Sequence, residues 1–572
     1  MQAWRAVFVS ALGLGAAMAG AYLSGRVTHL VLGLHGEPWR LTTYWQYVRA
    51  LDQPLVAPYA MRIKLAGIMG FGVPMLAWVC LLVAMFKSKR PSLHGEARFA
   101  TASDLAKQRM FKPTSTSLVV GKMRGRLVHM SGQQFALLAA PTRSGKGVGI
   151  VIPNLLTYAG SMVVLDIKQE NFDLTSGWRK SQGQSVYLFN PFAEDMRSAR
   201  WNPLHYVSEG VYRISDLMAL AETLYPDGSP DQKFWVSQAR NAFVAFTLYL
   251  FEKQDAQRNG GRRPKHMTEP TLGQVFRLSS GDGDDLKIYL RRLAQKPFLS
   301  GDARNAFSNL ISQADDTFSS IMGSFREPLN MFINPVLDAA TSGNDFLLTD
   351  VRKKPMTIYI GIQPNKLAES RIIINMFFSQ LIKLNTKELP SQNPELAHQC
   401  LLLMDEFTAI GRVDILASAV SFIAGYNLRL LPIIQSVSQL EAVYGRDVAR
   451  TFVTNHALQI VYTPREQRDA NDYSEMLGYT TVRRESITRG REVSRSESEE
   501  RRALMLPQEL KAMSGDKEVF FYEGIPHPVL CDKIRYYQDK FFTRRLLPKV
   551  EVAALAISGG DIRHYSKEGA GK

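Results

Sequence analysis

Cysteine is scarce. The 572 residues contain three, Cys80, Cys400 and Cys531, none at a paired spacing. That excludes a disulfide framework and a cysteine-built zinc site, and it suits a reducing compartment. Negative charge is also in deficit: 53 aspartates and glutamates stand against 69 lysines and arginines, a net charge of +16. Such an excess suits a polyanion or an anionic lipid surface as partner, or serves solubility alone. No internal repeat is present. Apolar residues, at 45%, are plentiful, and the length allows more than one domain.

The chain is organised around Phe135–Ile150, whose first part is a short apolar run that reads as a buried strand. Pro141 to Gly145 then form a turn, and Lys146 opens a helix. This is nearly the phosphate-binding pattern G-x-x-x-x-G-K-[ST]. In that layout backbone N–H groups of the loop and the helix N-terminus face the phosphates, and the lysine reaches the β- and γ-oxygens. The expected nucleotide contacts are Ala140, Pro141, Thr142, Arg143, Ser144, Gly145, Lys146, Gly147 and Val148. The match departs twice. Ala140 replaces the first glycine, which is mild if its φ is negative. Gly147 replaces the hydroxyl residue that would touch Mg²⁺, so water or another side chain must substitute.

Two long uncharged runs stand near the N-terminus. Ala6–Gly25 has 20 residues and Leu65–Phe86 has 22, each enough to cross a bilayer as a helix. The first is rich in Gly and Ala, and Ala17–Ala21 offers a signal-cleavage alternative to a retained helix. The second carries Pro74, which membrane helices tolerate. Residues 1–90 therefore read as a membrane anchor, with helices at about 6–25 and 65–86 and a short outside loop, 26–64. In that loop Trp39, Tyr44, Trp45 and Tyr47 suit the membrane interface. The positive charges on either side nearly tie. Orientation follows instead from the nucleotide site: ATP is cytoplasmic, which puts residues 87–572 inside.

Strands with helices between them continue at Ser161–Asp166 and Val186–Phe189, the rhythm of a parallel sheet with crossovers. From 207 to about 330 the periodicity is helical, including one long aromatic-rich helix, Phe234–Glu252, whose Trp235 reads as core. Strands return at Met356–Gly361, Leu401–Met404, Leu428–Ile434, Gln459–Tyr462 and Val519–Tyr522. The expected division is a nucleotide-binding domain in two parts, 91–206 and 331–545, an all-α domain at 207–330, and a tail at 546–572. The basic stretch Lys253–His266 reads as a solvated turn or a nucleic-acid contact. The mixed-charge stretch 483–502 reads as an exposed loop.

The second half of the site is Leu401–Phe407, an apolar strand ending in Asp405-Glu406. There Asp405 would hold Mg²⁺ and Glu406 would polarise the attacking water. Asp166, also at a strand end, competes for the metal role. Gln435, ending the strand Leu428–Ile434, would sense the γ-phosphate. Arg412 and Arg429 are candidates for a cation acting on a neighbouring subunit's nucleotide, or are structural. Lys146, Glu406 and Gln435 are thus the expected catalytic residues.

These motifs resemble those of the type IV coupling proteins, the TraG-like DNA-transfer ATPases. The resemblance rests on the two N-terminal apolar segments, Leu93–Phe99, Ala140–Gly147, Val164–Glu170, Leu403–Phe407 and Ile434–Leu440, in that order. It implies a RecA-like P-loop α/β fold interrupted by an all-α domain, assembled as a hexameric ring on the bacterial inner membrane. It implies ATP and Mg²⁺ as cofactors. Its implied partners are relaxase-bound single-stranded DNA or effector proteins, and the subunits of a type IV secretion channel. It carries over no arginine finger. The alternative is a membrane-bound substrate receptor in which nucleotide binding is structural.

Overall fold

The computed structural model describes residues 2–34, 36–86, 93–260, 269–489 and 493–557. The end of the basic stretch, within 261–268, and the tail from 558 lie outside these residues. The chain forms two compact units, Met1–Leu93 and His94–Lys572.

In the first unit both apolar runs are helical, Gln2–Leu32 and Ala60–Phe86, with a short helix, Thr43–Arg49, between them. The two long helices touch where side chains are small. A Cβ on Gly70 would lie 2.4 Å from Ser24 Cα, and one on Gly20 would lie 2.4 Å from the Phe71 ring. Glycine at these positions lets helices approach closely. The Trp78 indole donates to the Val9 carbonyl at 3.2 Å. Both expected segments are helices, but among the described residues only one, Ala57–Val83, is long and apolar enough to cross a membrane by length and composition.

The second unit is an α/β structure built on an eleven-stranded sheet. Its strands are β1 (Leu118–Met123), β2 (Arg126–Met130), β3 (Ala136–Ala139), β4 (Ser161–Asp166), β5 (Ser185–Phe189), β6 (Met356–Gly361), β7 (Cys400–Met404), β8 (Leu428–Ile434), β9 (Leu458–Val461), β12 (Lys517–Tyr522) and β13 (Val529–Asp532). The order is β2-β1-β13-β12-β9-β3-β8-β7-β4-β6-β5. From β9 to β5 neighbours run parallel, and β12, β13, β1 and β2 add an antiparallel flank. Strands β4, β6, β7 and β8 are buried at every position. That is why they read as continuous apolar runs: helices cover both faces of a parallel sheet.

Between β5 and β6 the described residues hold no strand. Helices Arg213–Leu224, Lys233–Asn259, Leu272–Ser279, Leu286–Ala294, Gly301–Ile311 and Asp315–Arg326 fill the interval. Aromatic stacking binds them: the Phe246 and Phe325 rings lie 5.1 Å apart at 7°. Their core is continuous with that of the sheet, and Trp235 packs against its edge.

The mixed-charge stretch is not the expected loop. Tyr479–Arg489 (β10) and Val493–Ala503 (β11) form an antiparallel hairpin in register from Tyr479↔Ala503 to Arg489↔Val493. Two pairs among the mixed charges that suggested solvent meet across the strands, Arg483 with Glu499 at 3.1 Å and Arg484 with Glu500 at 3.6 Å. Opposite charges across a ladder favour pairing.

Candidate functional site

The loop after β3 starts inside the sheet. The Ala140 N–H donates to the Ile434 carbonyl at 2.8 Å, extending the β3–β8 ladder by one residue. Ser144 N–H then donates to the Pro141 carbonyl at 3.1 Å and closes the turn. Positive φ falls on Arg143 (62°) and Gly145 (89°), not on Ala140, so the missing first glycine is tolerated. The following helix opens with a π-helical turn, Gly147–Val151, and continues as Ile152–Thr157. A Cβ on Gly147 would meet nothing within 4 Å, so neither space nor backbone shape demands glycine there.

Lys146 turns into the sheet's crevice. Its Nζ lies 3.2 Å from Asp405 Oδ1 and 3.1 Å from Glu406 Oε1, with all three side chains largely buried. The acids project from the end of β7, two strands from β3. Glu406 adopts left-handed backbone, φ 56°, which turns the chain sharply away from the strand. Burial pushes the Asp405 carboxyl up, Lys146 opposes this, and Glu406 adds to it. Asp405 Oδ1 is buried without a hydrogen bond of good geometry, despite the ammonium beside it. At the end of β8, Gln435 Oε1 accepts from the Thr142 hydroxyl at 3.1 Å, tying this amide to the loop.

Asp166 is placed differently from the other acids. It is 1% exposed and accepts from the N–H groups of Phe172 at 2.8 Å and Asn171 at 3.4 Å. Its oxygens thus cap the helix Glu170–Ser181. Burial pushes it up to about 7, the two N–H groups oppose this, and Asp405 adds to it. Arg429, a candidate for action on a neighbour, is fully buried and donates to the carbonyls of Gln134, Thr116 and Met130. It is structural. Arg412 pairs with Asp414 and lines a separate cleft of about 610 Å³ that shares no residue with the loop.

On the loop's other side is a cleft of about 660 Å³ with Arg143, Arg465, Lys511, Lys533 and Arg535 in its walls. Arg465 donates to the Thr142 carbonyl at 2.9 Å and Lys533 to the Ser144 carbonyl at 3.3 Å. Sequence reasoning missed these cations. For Arg465, Lys533 and Arg535 the available signal was position: Arg465 follows closely on the end of β9, and Lys533 and Arg535 on the end of β13, in the sheet that carries the loop. The arrangement offers backbone N–H groups and cations to an anion, and two carboxylates that share a single lysine.

The profile of the family described as "Type IV secretory system Conjugative DNA transfer" matches residues 90–558. A protein named VirD4 from Rhizobium radiobacter is 28% identical over 96% of this chain and 79% of its own length. A conjugal transfer protein TraG from Escherichia coli is 27% identical over 92% of this chain and 89% of its own. Among solved structures, the bacterial conjugative coupling protein TrwB in an unbound form aligns with a TM-score of 0.56, at 17% identity. The alignment covers 78% of this chain and 95% of that one. TrwB in complex with ADP and Mg²⁺ aligns at 0.53, with 16% identity over 82% of this chain and 98% of that one.

Proposed function

Since the chain belongs to the type IV secretory system conjugative DNA transfer family, we propose that it is the ATPase that couples nucleotide hydrolysis to substrate delivery. The substrate class is relaxase-bound single-stranded DNA or effector protein, handed to a secretion channel. The observation that carries this reading is the convergence of Lys146, Asp405 and Glu406 at the mouth of the loop.

In this reading the loop amides and the N-terminal helix turn receive the phosphates of ATP. Lys146 leaves the two acids and moves to the β- and γ-oxygens. Asp405 Oδ1, vacated by Lys146, would be the oxygen best suited to Mg²⁺, whose bound charge would offset that developing on the phosphates. Gly147 has no hydroxyl to offer the metal, so water or another side chain would take that place. Glu406, freed of Lys146, accepts a proton from the attacking water. The water oxygen bonds to the γ-phosphorus as the bond to the β-phosphate bridging oxygen breaks, giving ADP and phosphate. Gln435, held by Thr142, carries the change at the γ-phosphate to β8. Asp166 shapes the crevice as a helix cap and does not touch the metal.

The two N-terminal helices form the anchor in the bacterial inner membrane, with the ATPase domain in the cytoplasm, and the active form is a homo-hexamer. The basic excess serves DNA. The TrwB complex with ADP and Mg²⁺ supports the choice of cofactors. The test is steady-state phosphate release by the detergent-solubilised full chain, with and without single-stranded DNA. Turnover stimulated by DNA is expected. Tight nucleotide binding with no turnover under either condition would favour the receptor reading.

A further inference from the structure

Phosphate-binding loops turn their amides toward the anion, which leaves carbonyls facing the other way. Here two of those carbonyls meet cations that the phosphate-binding pattern does not include. Lys533 Nζ donates to the Ser144 carbonyl at 3.3 Å, and Arg465 donates to the Thr142 carbonyl at 2.9 Å. Gly145 takes its positive φ freely, but the intervening Arg143 also holds positive φ, a backbone that a non-glycine residue keeps only when its surroundings enforce it.

Lys533 is itself held in place. Its ammonium lies 3.7 Å from the centroid of the Tyr462 ring, a cation–π contact that strengthens away from water. Burial lowers the lysine below its ordinary value, and the charges of Glu518 and Asp516 pull it back. The same tyrosine touches the helix that follows the loop. A Cβ on Gly149 would lie 2.3 Å from the Tyr462 hydroxyl, so this is a position where close approach requires glycine. Loop, helix, Tyr462 and Lys533 therefore pack as one body, tied to the ends of β9 and β13.

We propose that Lys533 and Arg465 are positioning residues of the nucleotide site: they pin the Ser144 and Thr142 carbonyls so that the loop's amides stay aimed at the phosphates. This rests on the nucleotide-binding reading given above. Neither residue touches the reacting atoms. Their work is to keep the loop organised before nucleotide arrives, and to make its shape depend on the segment after β13.

The test compares the full-length protein with its Lys533→Met, Lys533→Arg and Arg465→Gln variants. Methionine keeps an unbranched stem on Tyr462 and removes the donor. Amide hydrogen exchange over residues 142–148 without nucleotide, titration with Mg²⁺–ADP, and the KM and kcat of ATP turnover are read together. A hydrogen bond from a charged donor is worth about tenfold or more in an equilibrium. Lys533→Met should therefore speed loop exchange about tenfold and weaken nucleotide binding by a similar factor. The split is diagnostic, because KM should rise while kcat at saturation stays near wild type. Lys533→Arg should restore both binding and exchange, and Arg465→Gln, at an exposed side chain, should shift them the same way by less. Unchanged exchange in a Lys533→Met protein of native thermal stability overturns the inference. So does a loss confined to kcat. If wild type binds no nucleotide, the functional reading fails, and loop exchange still decides the fate of this one.

Discussion

Glu406→Gln separates binding from chemistry. The amide keeps the size of the side chain and an oxygen for Lys146, and glutamine meets the left-handed backbone, φ 56°, no worse than glutamate. What disappears is one of two carboxylates that hold Lys146, at 3.1 Å. A partly buried pair of this kind contributes about 1 kcal/mol. Its removal frees the lysine for phosphate, so ATP should bind about fivefold more tightly. Turnover should move the other way. Loss of a positioned general base costs about 10²–10⁴-fold, a barrier increase of about 3–5 kcal/mol. The variant should therefore hold ATP and accumulate in its nucleotide-bound form. Equilibrium titration with a fluorescent ATP analogue gives the first quantity and single-turnover phosphate release the second. Hydrolysis at the wild-type rate would place the catalytic base elsewhere, with Glu170 the next residue to examine. Weakened binding would show that the Glu406 charge supports the site instead of competing for its lysine.

Three further outcomes follow from positions around the site. Gly147→Ser fills open space at an ordinary φ and replaces a poor helix former, so it should stabilise the chain by about 0.5 kcal/mol. It should also lower the Mg²⁺ concentration needed for nucleotide binding; thermal denaturation and metal titration check the two effects, and a lowered melting point would refute the steric argument. Arg429→Leu strands three buried carbonyls and should cost about 3 kcal/mol or more, seen as a shift in the chemical denaturation midpoint. Burial pushes Glu518 from its ordinary 4.5 up to about 8. Between those values the folded chain retains a proton that the unfolded chain has lost, so Glu518 makes stability fall as pH rises through that window. Glu518→Gln should flatten the decline in a pH series of unfolding curves, and an unaltered slope would refute it.

The parts legible in the sequence were those that follow from period and local chemistry. The strands β3, β4, β5, β6, β7, β8 and β9 are apolar runs with turn residues at their ends, and the loop and acid pair sit at such ends. The hairpin β10–β11 was hidden because its pattern is one of charge, and charge alternation reads as solvent until its register is known. Asp166 and Asp405 look alike in sequence, each the acid that ends an apolar strand. Only the chain's next turn separates them: the N–H groups of Asn171 and Phe172 fold back onto Asp166, while Asp405 meets Lys146. Arg429 was ambiguous for a related reason. The carbonyls that satisfy it come from residues 116, 130 and 134, about 300 positions away. Lys533 and Arg465 belong to no motif, because what they recognise is the back of a loop.

The order of strands also accounts for how a long helical segment coexists with a site assembled from distant residues. Lys146, Gln435 and the pair Asp405-Glu406 follow β3, β8 and β7, which are consecutive in the sheet. Their spacing is set by the ladder between strands and not by the length of chain between them. The helices enter after β5 and leave before β6, at the opposite edge, where β5 has no further neighbour. A large excursion there leaves the β3–β8–β7 register untouched. The excursion is not mechanically silent, however, since its aromatic core is continuous with that of the sheet. β4 pairs with both β6 and β7, so two strands, β6 and β4, lie between the edge strand β5 and the strand that bears the acids. The helices and the end of β7 are thus joined through packed, fully buried strands, which have little room to yield separately. Helices distant from the loop in sequence are in this way packed in continuity with the strand that bears Asp405 and Glu406, without contributing a side chain to the site.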